Sequence, residues 1–339
     1  MRKIKVLVVE DSAVFREMLV KGLEEDAGIE VVAQAENPFE ARDAIEQFQP
    51  DVMTLDIEMP KMSGIDFLKK LMPQYPLPVI MLSGLNGKVF EAMAAGAVDF
   101  VHKPMNLSAG NVKEFIRQEL VVKLKIAASV DVGKLMRRDR VHPVREARLT
   151  KNNCVIAIGA STGGPEAIRE VISGFDTDIP GVVMVQHMPA GFTRTYAERL
   201  NRLCQVEVKE AEDGDEVRQG RVLLAPGGNQ MRVVKKEAGY YVSVKEEPKV
   251  SGHCPSVDVL FDSVAKTVGG ESIGIILTGM GGDGSRGMKE MRNHGAVTIG
   301  QDEETCVVYG MPKVAYDIGA VTYQMPLGDI ADKVYEILG

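Results

Sequence analysis

Three residues that could together cleave an ester or an amide lie in distant segments of the 339-residue chain. Ser161 is at the centre of the sequence GASTG, a G-x-S-x-G pattern whose glycines permit a sharp turn that exposes the hydroxyl. His187 and Asp283 each follow a short apolar segment that has the character of a buried strand. These are the groups of a Ser-His-Asp relay, in which His187 would take the serine proton and Asp283 would orient the imidazole.

A second set of polar side chains follows the predicted strands of the first half of the chain. Glu10 and Asp11 follow the first of these strands, Asp56 ends the third, Ser83 ends the fourth and Lys103 follows the fifth. In an open parallel α/β sheet, ligands bind at the carboxyl ends of the strands. Three carboxylates at one edge repel one another unless a cation is present, and hard oxygen ligands suit Mg²⁺. We therefore predict a magnesium site beside Asp56, with Lys103 and the Ser83 hydroxyl placed to bind a phosphoryl group.

The segment around Asp283 also permits other interpretations. Residues 279–284 match G-x-G-x-x-G between a strand and a helix, and Asp302 lies where a ribose-binding acid would be expected. Asp283 would then face a pyrophosphate and repel it, which argues against a dinucleotide site. The same carboxylate could instead cap a helix. The order Ser, His, Asp differs from that of the α/β-hydrolases, so the G-x-S-x-G match does not assign that fold.

Short apolar segments alternate with helical patterns in both halves, which predicts two α/β units with parallel sheets. In the first half, strands are predicted at residues 5–9, 30–33, 51–55, 79–82 and 100–101, and helices at 13–25, 39–48, 64–72, 88–95 and 111–125. In the second half, strands are predicted at 154–158, 181–186, 222–225, 274–277 and 296–299, and helices at 165–173, 191–204, 256–268 and 287–294. A β-hairpin is expected across residues 231–245.

A polar, mostly basic stretch interrupts this alternation at residues 137–151 and contains Pro143, as is typical of an interdomain linker. We assign residues 1–125 to a first domain, 126–151 to the linker and 152–339 to a second, catalytic domain. The formal net charge of −8 argues against a general nucleic-acid-binding protein, which needs a basic surface. No apolar run approaches the length that spans a bilayer.

The cysteines and the other histidines carry no recognisable site. The four cysteines are widely spaced without a C-x-x-C pattern, which favours free thiols in a reducing cytoplasm. Four histidines have no partners comparable to those of His187: His102, His142, His253 and His294.

Residues 1 to about 125 resemble a response-regulator receiver domain. The matching residues are Glu10 and Asp11, the run DIEMPKMSG that begins at Asp56, then Ser83, and finally the Lys103–Pro104 pair. The resemblance implies a flavodoxin-like five-stranded parallel sheet, phosphorylation at Asp56 and phosphate sensing by Ser83 and Lys103. It also implies that Phe100 occupies the position of a rotating aromatic residue, and that the Lys103–Pro104 peptide bond is cis.

The whole chain resembles the chemotaxis protein-glutamate methylesterase family, CheB. A receiver is followed by GASTGGP, then QHMP, then LTGMGGDG, the three contexts of Ser161, His187 and Asp283. The resemblance implies a doubly wound α/β catalytic domain that removes methyl esters from receptor glutamates and deamidates specific receptor glutamines. It further implies that the main-chain N–H of Met280 binds the oxyanion, that Thr162 lines the site and that the esterase needs no cofactor.

The same resemblance implies how the enzyme is regulated and where it acts. The unphosphorylated receiver would cover the Ser161 cleft, and phosphorylation of Asp56 by the histidine kinase CheA would open it. The expected substrates are methyl-accepting chemoreceptors, and the expected location is the cytoplasm beside membrane receptor arrays, without membrane insertion or nucleic-acid binding. Two alternatives remain open at this stage, a receiver with a non-enzymatic output and a hydrolase of small esters.

Overall fold

The computed structural model describes residues 2–84, 87–104, 106, 108–134 and 154–339. The chain divides into two units, Met1–Arg137 and Arg138–Gly339. The boundary between them falls inside the predicted linker, most of which lies outside the described residues.

The first unit alternates strands and helices as predicted. Its elements are β1 (Ile4–Val9), α1 (Ala13–Glu24), β2 (Ile29–Ala35), α2 (Pro38–Phe48), β3 (Val52–Asp56), α3 (Gly64–Leu71), β4 (Val79–Ser83), α4 (Val89–Ala94), β5 (Asp99–His102), α5 (Ala109–Phe115) and α6 (Val121–Ala127). The strands form one parallel sheet in the order β2-β1-β3-β4-β5. This order is that of flavodoxin-like folds, and it brings the carboxyl ends of β1, β3 and β5 to one edge.

The end of the first unit differs from the prediction. A π-helical turn, Ile116–Leu120, joins α5 to α6, and a 3₁₀ turn follows at Val132–Lys134. Val130 and Val132 are buried. Ordered, apolar structure therefore continues past residue 125, where the linker was predicted to begin, because these side chains still pack into the core.

The second unit is built on a seven-stranded parallel sheet. Its elements are β6 (Val155–Ala160), α7 (Gly164–Ser173), β7 (Gly181–Gln186), α8 (Phe192–Leu203), β8 (Glu207–Glu210), β9 (Glu216–Val217), β10 (Arg221–Leu224), β11 (Gln230–Lys236), β12 (Gly239–Lys245), α9 (Val257–Thr267), β13 (Ser272–Ile276), α10 (Ser285–Asn293), β14 (Val297–Gln301), α11 (Met311–Asp317), β15 (Tyr323–Met325) and α12 (Ile330–Leu338). The order is β15-β14-β13-β6-β7-β10-β8. The strand order reverses between β6 and β13, and such a switch point opens a crevice at the carboxyl ends of the strands.

The predicted hairpin is present as β11 and β12, which pair antiparallel from Gln230 opposite Lys245 to Lys236 opposite Gly239. It belongs to a separate three-stranded sheet that also includes β9. Strands β8, β9 and β15 and helices α11 and α12 were not predicted. Helix α12 has a visible signal, since its buried residues recur at helical spacing: Ile330, Ala331, Val334, Tyr335 and Leu338.

The structure tests the predicted cis Lys103–Pro104 bond and the predicted absence of a membrane-spanning segment. The cis peptide bond among the described residues joins Cys254 to Pro255, so the expectation of a cis Lys103–Pro104 bond is wrong. The trans preference of an X–Pro bond is only about 0.5–1 kcal/mol, which the sequence alone cannot resolve. Within the described part of the chain, no helix is long and apolar enough to cross a bilayer.

Candidate active site and phosphorylation site

Ser161 lies directly after β6 at the switch point of the second sheet. Its main-chain N–H donates to the Thr278 carbonyl oxygen at 3.0 Å, which ties the serine to the end of β13. Gly163, the residue that precedes α7, has a φ of 75°, a conformation that glycine adopts without strain. A Cβ atom on Gly279 would lie 2.7 Å from Cβ of Ser161, so the two segments approach more closely than a side chain would permit.

Gln186 holds the main chains of Ser161 and His187 together. Its side-chain amide donates to the Ser161 carbonyl oxygen at 2.9 Å and to the His187 carbonyl oxygen at 3.1 Å. The main-chain N–H of His187 donates to the carbonyl oxygen of Ala160 at 3.1 Å. Gln186 is only 2% exposed, so water does not compete for these bonds. From the sequence, Gln186 was predicted only as the last residue of a strand, and its hydrogen bonds to Ser161 and His187 were not predicted. A polar glutamine at the end of a valine-rich strand was a signal that could have indicated them.

Asp283 is buried and receives hydrogen bonds on both carboxylate oxygens. Oδ1 accepts from the Ser256 hydroxyl at 2.7 Å and from the main-chain N–H of Asp258 at 3.1 Å. Oδ2 accepts from the Val257 N–H at 2.8 Å and lies 2.8 Å from Nε2 of His187. The carboxylate therefore caps the N-terminus of α9 while it binds the imidazole. A helix N-terminus stabilises a negative charge.

The electrostatics of this pair favour an ionised Asp283. Burial alone would raise its pKa, but the hydrogen bond and charge of His187, with the bonds from Ser256 and Val257, hold the pKa below its usual value. The other ring nitrogen of His187, Nδ1, is buried and has no hydrogen-bond partner in the part of the chain that the structure describes. That nitrogen remains available to accept a proton.

His253 contradicts the expectation that it lacks a comparable partner. Its ring stacks on that of His187 with centroids 3.7 Å apart and planes 5° from parallel. Burial, followed by the charge of His187, lowers the pKa of His253 to about 4, although Asp283 acts in the opposite direction. No sequence signal pointed to this contact, because His253 lies 66 positions from His187 in a segment outside any helix or named strand.

Thr162 and Met280 occupy the loops that flank Ser161. Thr162 is buried, and its carbonyl oxygen accepts from the Thr278 hydroxyl at 3.0 Å. The side chain of Met280 is 49% exposed, directly after the glycine that packs on Ser161. Asp302, the ribose-binding candidate, accepts from the N–H and hydroxyl of Thr305 and thereby closes a turn. The Asp283 carboxylate binds His187 and the start of α9, and the Asp302 carboxylate binds Thr305. Because both carboxylates are already hydrogen-bonded within the chain, the geometry does not favour a dinucleotide site.

Four charged residues form a compact cluster at the edge of the first sheet. Nζ of Lys103 lies 2.8 Å from Oε2 of Glu10 and 2.7 Å from Oδ2 of Asp56. Burial, followed by the charge of Asp56, raises the pKa of Glu10 to about 7 despite the opposing effect of Lys103. Burial also raises the pKa of Asp56 against Lys103. Asp11 is exposed, and its carboxylate completes the cluster.

The carboxylates of Glu10, Asp11 and Asp56 fit a divalent cation, since one oxygen of each lies within 4.8 Å of the others. Lys103 supplies one positive charge against three carboxylates, so a divalent ion would offset the remaining negative charge, and hard oxygen donors are the ligands that Mg²⁺ prefers. These three residues would hold the ion.

Ser83 contacts the main chain of Lys103, whereas Phe100 packs on another aromatic ring. The Ser83 hydroxyl donates to the carbonyl oxygen of Gly84 at 2.9 Å, and the Ser83 carbonyl oxygen accepts from the Lys103 N–H at 2.8 Å. Phe100 is only 4% exposed and packs edge-to-face on Phe90 with centroids 6.3 Å apart. In this structure the aromatic ring therefore lies in the core.

Comparison with known proteins agrees with the two-unit organisation. Residues 6–112 match the response regulator receiver domain, and residues 156–334 match the CheB methylesterase domain. A protein-glutamate methylesterase/protein-glutamine glutaminase 2 of Syntrophomonas wolfei is 54% identical over 338 residues, covering 100% of this chain and 98% of that protein. The chain belongs to the CheB methylesterase family. The predicted family and enzyme class, a hydrolase, are confirmed.

Other CheB relatives extend this similarity. The protein-glutamate methylesterase/protein-glutamine glutaminase of Salmonella typhimurium is 44% identical over 339 residues, with 98% of this chain and 97% of the relative covered. The crystal structure of the Thermotoga maritima CheB methylesterase catalytic domain aligns with a TM-score of 0.53 and 37% identity, covering 55% of this chain and 98% of that domain. The predicted fold class is confirmed.

Proposed function

We propose that this CheB-family chain hydrolyses γ-methyl esters of glutamates on methyl-accepting chemoreceptors and deamidates specific receptor glutamines. Ser161 is the nucleophile, His187 the base and then the acid, and Asp283 the orienting carboxylate. The observation that carries the proposal is the Gln186 amide, which binds the main chains of Ser161 and His187 while Asp283 holds the imidazole. Nucleophile, base and orienting group therefore belong to one hydrogen-bonded assembly.

The proposed reaction proceeds by two acyl transfers. The Ser161 hydroxyl oxygen attacks the ester carbonyl carbon, and Nδ1 of His187 takes the hydroxyl proton. The main-chain N–H of Met280 stabilises the oxyanion, in a site lined by Thr162. The intermediate collapses as His187 protonates the departing methoxide, so that methanol leaves and an acyl-serine remains. Water then attacks the acyl carbon, and His187 takes one of its protons. The Ser161 oxygen leaves and receives that proton from His187, and the glutamic acid so formed releases its own proton to solvent and becomes a carboxylate.

The same steps account for deamidation, in which ammonia leaves in place of methanol. Both reactions pass through a tetrahedral oxyanion, so one site can serve both. Each adds one negative charge to the receptor, and this charge is the adaptation signal in chemotaxis. Apart from the attacking water, the esterase steps use groups of this chain and require no cofactor.

Methanol release from methylated receptor membranes tests this proposal. We expect Ser161→Ala to abolish release, whereas Ser243→Ala, a serine on β12 in the hairpin, serves as the matched control and retains activity. Substantial turnover by the Ser161→Ala protein would contradict the nucleophile assignment. Comparison with turnover of small esters distinguishes a receptor enzyme from a general esterase, because only the former favours the receptor.

The receiver regulates this activity through Asp56, which we propose is phosphorylated by the histidine kinase CheA beside membrane receptor arrays at the cytoplasmic face. Mg²⁺ bound by Glu10, Asp11 and Asp56 would offset the charge of the incoming phosphoryl group. Lys103 would pair with the phosphoryl oxygens and Ser83 would donate a hydrogen bond to them. Phe100 would then change its packing to report the modification.

Addition of acetyl phosphate and Mg²⁺ tests the switch. We expect faster methanol release from the wild-type chain and no increase for Asp56→Asn. Asp43→Asn, an exposed carboxylate on α2, is the control and should respond like the wild type. An Asp56→Asn protein that responded fully would show that another residue, or none, is the switch.

A further inference from the structure

His253 covers one face of the proposed catalytic base. Its ring lies parallel to that of His187 at 3.7 Å, as close as stacked aromatic rings pack. The backbone around it is fixed, because Val250 and His253 exchange two main-chain hydrogen bonds of 2.9 Å. The amide of Gln230 donates to the His253 carbonyl oxygen at 3.1 Å. Three hydrogen bonds therefore hold the segment that carries the ring.

The charged and titratable groups that act on His253 are His187, Asp283 and Lys249. Burial, followed by the charges of His187 and Lys249, lowers the pKa of His253 to about 4 against the opposing charge of Asp283, so the ring is uncharged at neutral pH. Uncharged imidazole is an aromatic surface with a negative face. His253 is thus chemically distinct from His187, although the two rings are in contact.

A face-to-face stack is not the arrangement that two neutral aromatic rings prefer. The same stack becomes favourable when one ring is a cation, because the cation is attracted to the face of the other ring. His187 becomes an imidazolium whenever it accepts the serine or water proton. The contact with His253 is therefore more favourable in the transition state than in the resting enzyme, which is the requirement for catalytic benefit.

We propose that His253 is a positioning residue for the esterase, an uncharged aromatic platform that orients the His187 ring and stabilises its protonated form. The hydrogen bond to Asp283 alone leaves the ring free to rotate about the Nε2–Oδ2 direction, and the stack removes that freedom. The inference rests on the proposed function, since it concerns the base of the same relay.

The test uses the full-length chain with His253 replaced by Phe, Leu or Ala. Phenylalanine keeps an aromatic face but cannot titrate, leucine fills space without an aromatic face, and alanine removes both. For methanol release from methylated receptor, we expect His253→Leu and His253→Ala to lower kcat by about 3- to 30-fold. Their KM should change less than about twofold, and His253→Phe should restore kcat to within about threefold of wild type. His294→Phe, at the end of α10, is the matched control.

Two results would overturn the inference. If His253→Phe loses as much activity as His253→Ala, the imidazole itself takes part in the chemistry. If all three variants retain wild-type kcat, the stack has no catalytic role. Circular dichroism and thermal unfolding of each variant identify any that fail to fold. If the alanine variant fails to fold, the leucine variant still tests the inference.

A second readout separates this inference from the proposed substrate. The rate at which a fluorophosphonate labels Ser161 depends on the relay but not on the receptor. If wild type releases no methanol but labelling falls in the Leu and Ala variants and recovers in Phe, the substrate assignment fails and the platform remains supported. Absence of labelling in wild type would overturn the platform together with the nucleophile.

Discussion

Oδ2 of Asp283 lies 2.8 Å from Nε2 of His187, and the same oxygen accepts the N–H of Val257 at the start of α9. The carboxylate therefore joins the imidazole to a helix N-terminus and remains ionised in a buried position. The nitrogen nearest Asp283 is Nε2, so the resting tautomer carries its proton there, and Nδ1 is the basic nitrogen. Nitrogen-15 NMR of labelled His187 should show a protonated Nε2, and a protonated Nδ1 would contradict this orientation.

Replacing Asp283 by asparagine should impair both catalysis and folding. An amide cannot stabilise the imidazolium by charge, and its nitrogen would face main-chain or hydroxyl donors of α9. We expect kcat for methanol release to fall by about 10³- to 10⁴-fold. The free energy of unfolding should fall by about 1–3 kcal/mol, as for buried donors left without partners. Asp262→Asn, a partly exposed carboxylate on α9 that pairs with Lys266, is the control for both measurements.

Gln186 should prove essential for the alignment of Ser161 and His187. A glutamate has the same shape but cannot donate to the two carbonyl oxygens, and it would place a charge against them. We expect Gln186→Glu to lower kcat by at least about tenfold, on the basis of two lost buried hydrogen bonds. Gln186→Met, which leaves both carbonyls unpaired without adding charge, should show a smaller loss. Wild-type kcat in both variants would refute the alignment, and exposed Gln205→Glu controls for the change in charge.

The low pKa of His253 predicts a specific pH dependence of stability. The folded-state value of about 4 lies below the ordinary value of 6.5, so the unfolded chain binds a proton in this window that the folded chain does not. Stability therefore falls as pH decreases from about 6.5 to about 4. We expect His253→Phe to reduce the difference in Tm between pH 7 and pH 5, measured by calorimetry on the transition of the second unit. The control is His294→Phe. If the difference in Tm between pH 7 and pH 5 is the same in His253→Phe as in this control, His253 is not neutral in the folded chain.

Lys103 competes with a divalent cation for the oxygens of Glu10 and Asp56. Its ammonium lies within 2.8 Å of both carboxylates, and two cations at one site repel each other. We expect Lys103→Met to strengthen Mg²⁺ binding by at least about tenfold in calorimetric titrations, and Asp11→Asn to weaken it. Lys113→Met, which removes an exposed ion pair with Glu25, is the control. Weaker binding by the Lys103→Met protein would contradict this account of the cluster.

Much of the candidate site could be predicted because each functional residue directly follows a buried strand. The carboxyl ends of parallel strands meet at one edge, so the positions of Ser161, His187 and Asp283 in sequence already placed them on the same side of a sheet. The same reasoning placed Glu10, Asp56 and Lys103 together, and the structure bears this out with ion pairs of 2.8 Å or less.

What the sequence determined by itself is therefore local: the alternation of elements, the turn at Ser161 and the set of polar residues at strand ends. Tertiary structure decided the order β13-β6-β7, which makes those three ends neighbours. It also decided the packing of α9 and of Ser256 before it, which together supply three donors to Asp283. It also decided that His253 stacks on His187. These contacts join segments far apart in the chain, and no local pattern encodes them, because they depend on how whole elements pack rather than on the conformation of any one segment.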